Sequence, residues 1–299
     1  MDSNNLNHAG LNSGYDRKSF LNLLDTALQV KSWRFTRQAA ILWLAIYPGD
    51  LEVRLRLAKA QAGEGRSGAA ISLLEELCRM DPEFSLAQTS LADEYLRAGQ
   101  PEKAGETWAL VSVLGSGIPD LKLPQWAVDL SNAYKYFAAG SLEEAENAVH
   151  TVLGAKPDLL LAAVLHLRLN RASGELRTVN HLASLYKERW PETLAFSLAL
   201  AEAQMELGDE TRAVALLHQC VARDSAGQVS NRLWGSNHRY HSLWPERLLA
   251  QFDLAIPAEV AGPLGLNRLP EGKSGNAEPT HSGRANPGSL QPDIAEAPA

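Results

Sequence analysis

The chain has 299 residues, 45% of them hydrophobic, with a formal net charge of −7 and a pI near 5.7. The acidic balance argues against a nucleic-acid binder, which needs a basic face to displace phosphate counterions. No apolar run approaches the ~18 residues of a membrane span. The first sixteen residues also lack the basic-then-apolar pattern of a secretory signal, so the sequence reads as a cytoplasmic protein with a sizeable core.

Residues 1–16 are rich in Asn, Gly and Ser and are expected to form a disordered tail. A helical pattern begins at residue 17. In 17–50, Phe20, Leu23, Leu24 and Ala27 recur at three-to-four residue spacing, followed by Ala39, Ala40, Leu42, Trp43 and Ile46 on a second helix. The segment 51–84 is the clearest unit. Leu51, Leu55, Leu57, Ala58 and Ala62 stripe one helix, Gly63 and Gly65 break it, and Ala70, Ile71, Leu74, Leu77 and Cys78 stripe the next. Pro82 stops that helix, because proline lacks the N–H an interior position needs. Units at 85–118, 126–159, 160–193 and 194–227 follow the same plan.

Three markers share one register. Glycines stand at 65, 99, 140, 174 and 208, in steps of 34, 41, 34 and 34. A small residue follows five positions later each time: Ala70, Ala104, Ala145, Val179 and Ala213. Pro48 and Pro82 lie 34 apart, as do Pro157 and Pro191. The first unit departs from the pattern, with Lys31 at the glycine position and Thr36 at the small one. The seven-residue slip is placed in an insertion at 119–125, within the turn-rich stretch 111–125, and marks a possible contact site on one face.

A helix–turn–helix period of 34 residues is the signature of the tetratricopeptide repeat. The chain resembles that family over about Arg17 to Gly227. The resemblance implies an all-α fold, an α-solenoid of about six repeats wound as a right-handed superhelix. Residues 228–267, dense in aromatics, are expected to cap the exposed face of repeat six, with one short helix over 244–252. Residues 268–299 are Pro-, Gly- and Ser-rich with few large apolar groups and are expected to be disordered.

Motifs for chemistry are sparse. The sequence has no phosphate-binding glycine loop, dinucleotide fingerprint, zinc-protease helix or CxxC pair, and no catalytic residue, cofactor or metal is assigned. Cys78 and Cys220 read as inert buried thiols. The resemblance implies instead that first helices line a concave groove that binds partner segments. Carrying the family's inward positions onto this chain points to Lys59, Tyr134, Phe137, Arg168 and Arg171, with Arg97 adjacent. Aromatic and guanidinium groups side by side suit an apolar or acidic segment. No repeat has the Lys and Asn pair with which chaperone-binding members clamp a C-terminal carboxylate, so that partner is disfavoured. The expected function is a non-catalytic protein–protein scaffold. Two alternatives stand beside it: an enzymatic or metal-dependent accessory function in 230–257, using His238 and His241 with Glu246 or Asp253 and the repeats as a targeting arm, and a self-assembling solenoid.

Overall fold

The computed structural model describes residues 14–116 and 121–266. Six consecutive helix pairs make up most of it. They are α1 (Arg17–Gln29) with α2 (Trp33–Ile46), α3 (Leu51–Gly63) with α4 (Ser67–Met80), and α5 (Ser85–Arg97) with α6 (Pro101–Val113). The second half holds α7 (Gln125–Ala139) with α8 (Leu142–Ala155), α9 (Leu160–Ala172) with α10 (Leu176–Arg189), and α11 (Leu194–Glu206) with α12 (Glu210–Arg223). Each helix packs on the next in sequence, and first helices also touch first helices of adjacent pairs: α1 with α3, α3 with α5, α7 with α9, α9 with α11.

The turn within each pair follows from the sequence. Gly65, Gly99, Gly140, Gly174 and Gly208 have φ between 71° and 90°. The next residue's amide reaches back to a carbonyl of the first helix, as Gln100 N does to Tyr95 O at 2.8 Å. This satisfies a carbonyl that the helix end leaves open. In the first pair Lys31 takes the same backbone, φ 60°, and Ser32 N donates to Ala27 O at 2.9 Å. The turn is therefore kept without glycine, at a steric cost of about 1–2 kcal/mol. The small residue five positions on is where the second helix meets the first: Ala70, Ala104, Ala145, Val179 and Ala213 are all at most 1% exposed. Thr36 fills that place in the first pair and turns its hydroxyl to Ser32 O at 3.1 Å.

The stack closes on itself. One apolar core joins Leu77, Phe84 and Leu91 of the second and third pairs to Leu194, Phe196 and Leu217 of the sixth. Thr193 Oγ1 donates to Arg79 O at 2.7 Å, and Arg79 pairs with Glu192 at 2.6 Å. The turn between α2 and α3 docks on the end of α12, with Ser225 N donating to Gly49 O at 3.1 Å. Beside that contact the Asp50 carboxylate is fully buried. It caps α3 through Val53 N (3.3 Å), accepts from Trp43 Nε1 (3.1 Å) and pairs with Arg17 (2.8 Å).

After residue 227 the chain covers two faces rather than one. Helix α13 (Gln228–Trp234) and Trp244 join the core of the fifth and sixth pairs. The following stretch returns to the first pair. There β2 (Leu249–Ala250) pairs antiparallel with β1 (Tyr15–Asp16), and Leu248, Ala250 and Val260 of α14 (Ala258–Ala261) enter the core around Phe20 and Trp43.

Three expectations are corrected here. Residues 244–252 form no α-helix, because Leu248, Ala250, Phe252, Leu254 and Ile256 face inward alternately while 249, 251, 253 and 255 are exposed, a period of two. Gly14–Asp16 is not part of a disordered tail: Tyr15 stacks on Phe252 with ring centroids 5.2 Å apart. Leu42 and Ile46 lie on the outer side of α2, since its buried stripe is Phe35, Thr36, Ala39, Ala40 and Trp43. Residues 1–13 and 267–299, and 117–120 within the turn-rich stretch 111–125, lie outside the described residues.

Candidate partner-binding groove

Two parts of the same chain sit against α7, α9 and α11. One is the turn Asp81–Phe84 between α4 and α5, where Asp81, Pro82 and Phe84 are buried. The other is α13. Pro82 ends α4 and leaves two acidic side chains, Asp81 and Glu83, to find partners away from water. Each finds an arginine.

Glu83 accepts from Arg168 at 2.5 Å and from the Tyr134 hydroxyl at 3.1 Å. Phe137, one turn along α7 from Tyr134, lies under the Arg168 guanidinium, 5.2 Å from ring centroid to charge. Burial, with Glu83 next, pushes the Tyr134 phenol well above its ordinary value, so it stays a neutral donor. Asp81 pairs with Arg232 of α13 and accepts from Gln228 Nε2 at 2.9 Å. Further along α9, Arg171 makes a two-pronged contact to Glu202 at 2.5 and 2.9 Å, and Trp234 Nε1 donates to the same carboxylate at 2.9 Å. The N-terminus of α13 is capped by Asp224, which accepts from the amides of Gln228 and Val229 at 2.8 Å each. Desolvation dominates there and raises the Asp224 carboxyl to about 6.

The residues named from the sequence thus separate into groups. Tyr134, Phe137 and Arg168 come together. Arg171 turns to Glu202 and α13. Lys59 on α3 stands near Arg56, Asp25 and Asp93, and Arg97 pairs with the buried Glu94 at the end of α5. Glu83, Asp81 and Arg232 were missed. The available signal was local: a proline-stopped turn carrying two acids, Asp81-Pro82-Glu83, in a register where other repeats carry at most one.

A cleft of about 640 Å³ opens beside this cluster. Glu83, Tyr134, Lys135, Ala138 and Arg232 line one part of it, and Ser112–Gly115, at the end of α6 in the turn-rich stretch 111–125, line another. Lys135 and Ala138 are exposed. A second cleft of about 650 Å³ lies between α1 and the returning stretch 245–249, with Arg17, Asp25, Arg56 and Arg247 on its walls.

The histidines of the C-terminal segment do not form the metal set considered above. His238 is buried among Trp234, Tyr240 and Trp244, and the His241 Nδ1 lies 3.0 Å from the His238 carbonyl. Among the described residues, neither histidine belongs to a group of three potential ligands with Glu246 or Asp253. Cys78 and Cys220 are buried and free, and burial pushes both thiols up, Cys220 to about 12. Among the described residues no helix is long and apolar enough to cross a membrane.

No family model matches the chain, and no curated protein matches it. Solved structures similar to it include the APC/C hetero-tetramer Cut9–Hcn1, at 13% identity and a TM-score of 0.32 over 73% of this chain. The match spans 42% of that chain's length. Another is a Podosopora anserina putative kinesin light chain with nearly identical TPR-like repeats, at 23% identity and a TM-score of 0.29. It covers 60% of this chain and 96% of that one. Six helix pairs turn at left-handed residues, seat a small residue at the helix crossing and stack first helix on first helix, and these features make the chain a tetratricopeptide-repeat-like α-solenoid.

Proposed function

We propose that this chain is a non-catalytic protein–protein interaction scaffold that takes an apolar or acidic segment of a partner in the cleft beside Tyr134. One observation carries the reading. The Tyr134–Phe137–Arg168 cluster already holds an acidic, proline-containing turn of its own chain, Asp81–Phe84, so its chemistry suits that class of segment. The turn leaves an adjoining cleft open, with Lys135 and Arg232 on its wall to meet further acidic side chains. The turn-rich stretch 111–125, which holds the insertion that breaks the repeat period, begins at that cleft's edge, where an irregular element adds specificity that a regular stack lacks.

The test uses the intact chain as bait, beside a variant carrying Lys135→Glu and Ala138→Glu. Both positions are exposed, so the melting temperature should stay within the range of ordinary surface changes. A partner recovered by the wild-type chain should be depleted about tenfold or more with the variant, as expected for reversed charge at an interface centre. Equal recovery of every partner by both chains would remove the cleft as the site.

A further inference from the structure

One cluster of ligating side chains lies outside the groove, at the junction of the fourth and fifth pairs. Glu146 and His150 are i and i+4 on α8, so they project from one face of the helix. His150 Nε2 lies 3.6 Å from a Glu146 carboxylate oxygen. Across the junction, His166 of α9 is buried, and its ring meets that of His150 edge to face, 4.9 Å between centroids. One ligand atom from each of the three residues can be chosen so that all lie within 4.8 Å of one another. His166 is also oriented from behind. Its Nδ1 is 2.8 Å from the Tyr186 hydroxyl of α10, which leaves Nε2 free.

From this geometry we propose that Glu146, His150 and His166 form a binding site for a divalent transition-metal ion of the zinc class, with Tyr186 as the positioning residue. Two imidazoles and a carboxylate are a donor set that zinc accepts with tetrahedral geometry and bonds of about 2.0–2.2 Å, leaving a fourth position for water or another donor. Bonds of that length bring ligand atoms to roughly 3.4 Å apart. The contraction falls on Glu146 and His150, both of which are exposed and free to rotate. His166 is held by the Tyr186 hydroxyl, and a histidine ligand whose second nitrogen is held by an oxygen is the usual arrangement around such metals. A bound ion would tie α8 to α9 and fix the angle between two repeats. Magnesium, which prefers oxygen ligands and retains its waters, is not expected to bind.

The experiment is a calorimetric titration of the intact, chelator-stripped chain with zinc chloride, and with magnesium chloride in parallel. One zinc per chain and no magnesium binding are expected, with a rise in melting temperature on zinc addition. His150→Ala and Glu146→Gln change exposed positions and should melt like the wild-type chain in chelator, yet lose the one-to-one zinc binding. Tyr186→Phe should retain the site with about 10–100-fold weaker affinity. In a cobalt-loaded sample the visible bands of tetrahedral Co(II) should be present for the wild-type chain and missing for His150→Ala. Failure of the wild-type chain to take up zinc, or wild-type affinity in His150→Ala, overturns the proposal.

Discussion

Closure of the solenoid includes one close approach between main-chain segments, and a single methyl group tests it. Gly49 is buried in the turn between α2 and α3 against the end of α12. A Cβ there would lie 2.5 Å from Ala222 O, 2.6 Å from Arg223 C and 2.8 Å from Asp224 N. All three are main-chain atoms, so no side chain can swing aside. Restoring ordinary contact requires a separation of roughly 0.9 Å, which carries the 3.1 Å bond from Ser225 N to Gly49 O beyond hydrogen-bond range. Overpacking costs about 1–3 kcal/mol, and the stranded groups add about 1 kcal/mol. For a chain of this size, Gly49→Ala should therefore lower the melting temperature by roughly 5–10 °C. Gly105→Ala is the control. It sits inside α6 with open space around it, and alanine there should raise stability by about 1 kcal/mol. Calorimetric melts of the two variants read opposite signs from one chemical change. If Gly49→Ala melts at or above the wild-type temperature while Gly105→Ala stabilises, the two halves are not in contact there.

Three further outcomes follow from the same contacts. The Asp224 carboxyl is raised from 3.8 to about 6 by burial, so the folded state holds its proton longer than the unfolded state. Its contribution is greatest below pH 4 and is lost as the pH rises through 6; the stability gap between the wild-type chain and Asp224→Asn, from denaturant titrations, should move against the wild type by up to about 3 kcal/mol between pH 4 and 7. A pH-independent gap would contradict the burial argument. Arg168→Ala leaves the largely buried Glu83 with Tyr134 alone and should cost about 1–3 kcal/mol, while adding Glu83→Ala should recover part of it; strict additivity in that double-mutant cycle would mean the pair is not coupled. A chain ending at residue 244 loses Leu248, Ala250, Phe252 and Val260 from the core of the first pair, and light scattering should show association with a lower melting point; a monomer of unchanged stability would refute the capping role.

The periodic part of the fold was legible because its signals are local. A glycine turn, a small residue at the crossing and a proline stop are each decided within a few residues. Even the degenerate first pair followed the register: Lys31 adopts the left-handed backbone that glycine takes elsewhere. What the period did not carry was the curvature. Contacts such as Arg79 with Glu192 and Asp81 with Arg232 span more than a hundred residues, and nothing in either segment announces the other. Residues 244–252 depart from the helical expectation for a different reason. Leu248, Ala250, Phe252, Leu254 and Ile256 alternate with outward residues, a strand-like period that the sequence itself carries. In the site, the family register did bring Tyr134, Phe137 and Arg168 together. It could not say that their acidic counterpart lies in the same chain, because Glu83 comes from a turn rather than from a groove position.

That self-occupation bears on how partners are engaged. An intramolecular turn held in place by the folded stack competes with any external segment without the cost of association, so a weak peptide would not displace Asp81–Phe84 from Arg168. Helix α13 reinforces the seal, held by Asp81 on one side and by Arg171 and Glu202 on the other. A partner therefore gains more by adding to the filled groove than by emptying it. It can extend along the cleft from Ser112 to Lys135 and meet Arg232 without breaking the Glu83 pair. For a partner bound as proposed, the interior ion pairs would act as a fixed floor, holding the aromatic and basic groups in place beforehand and lowering the ordering cost of binding.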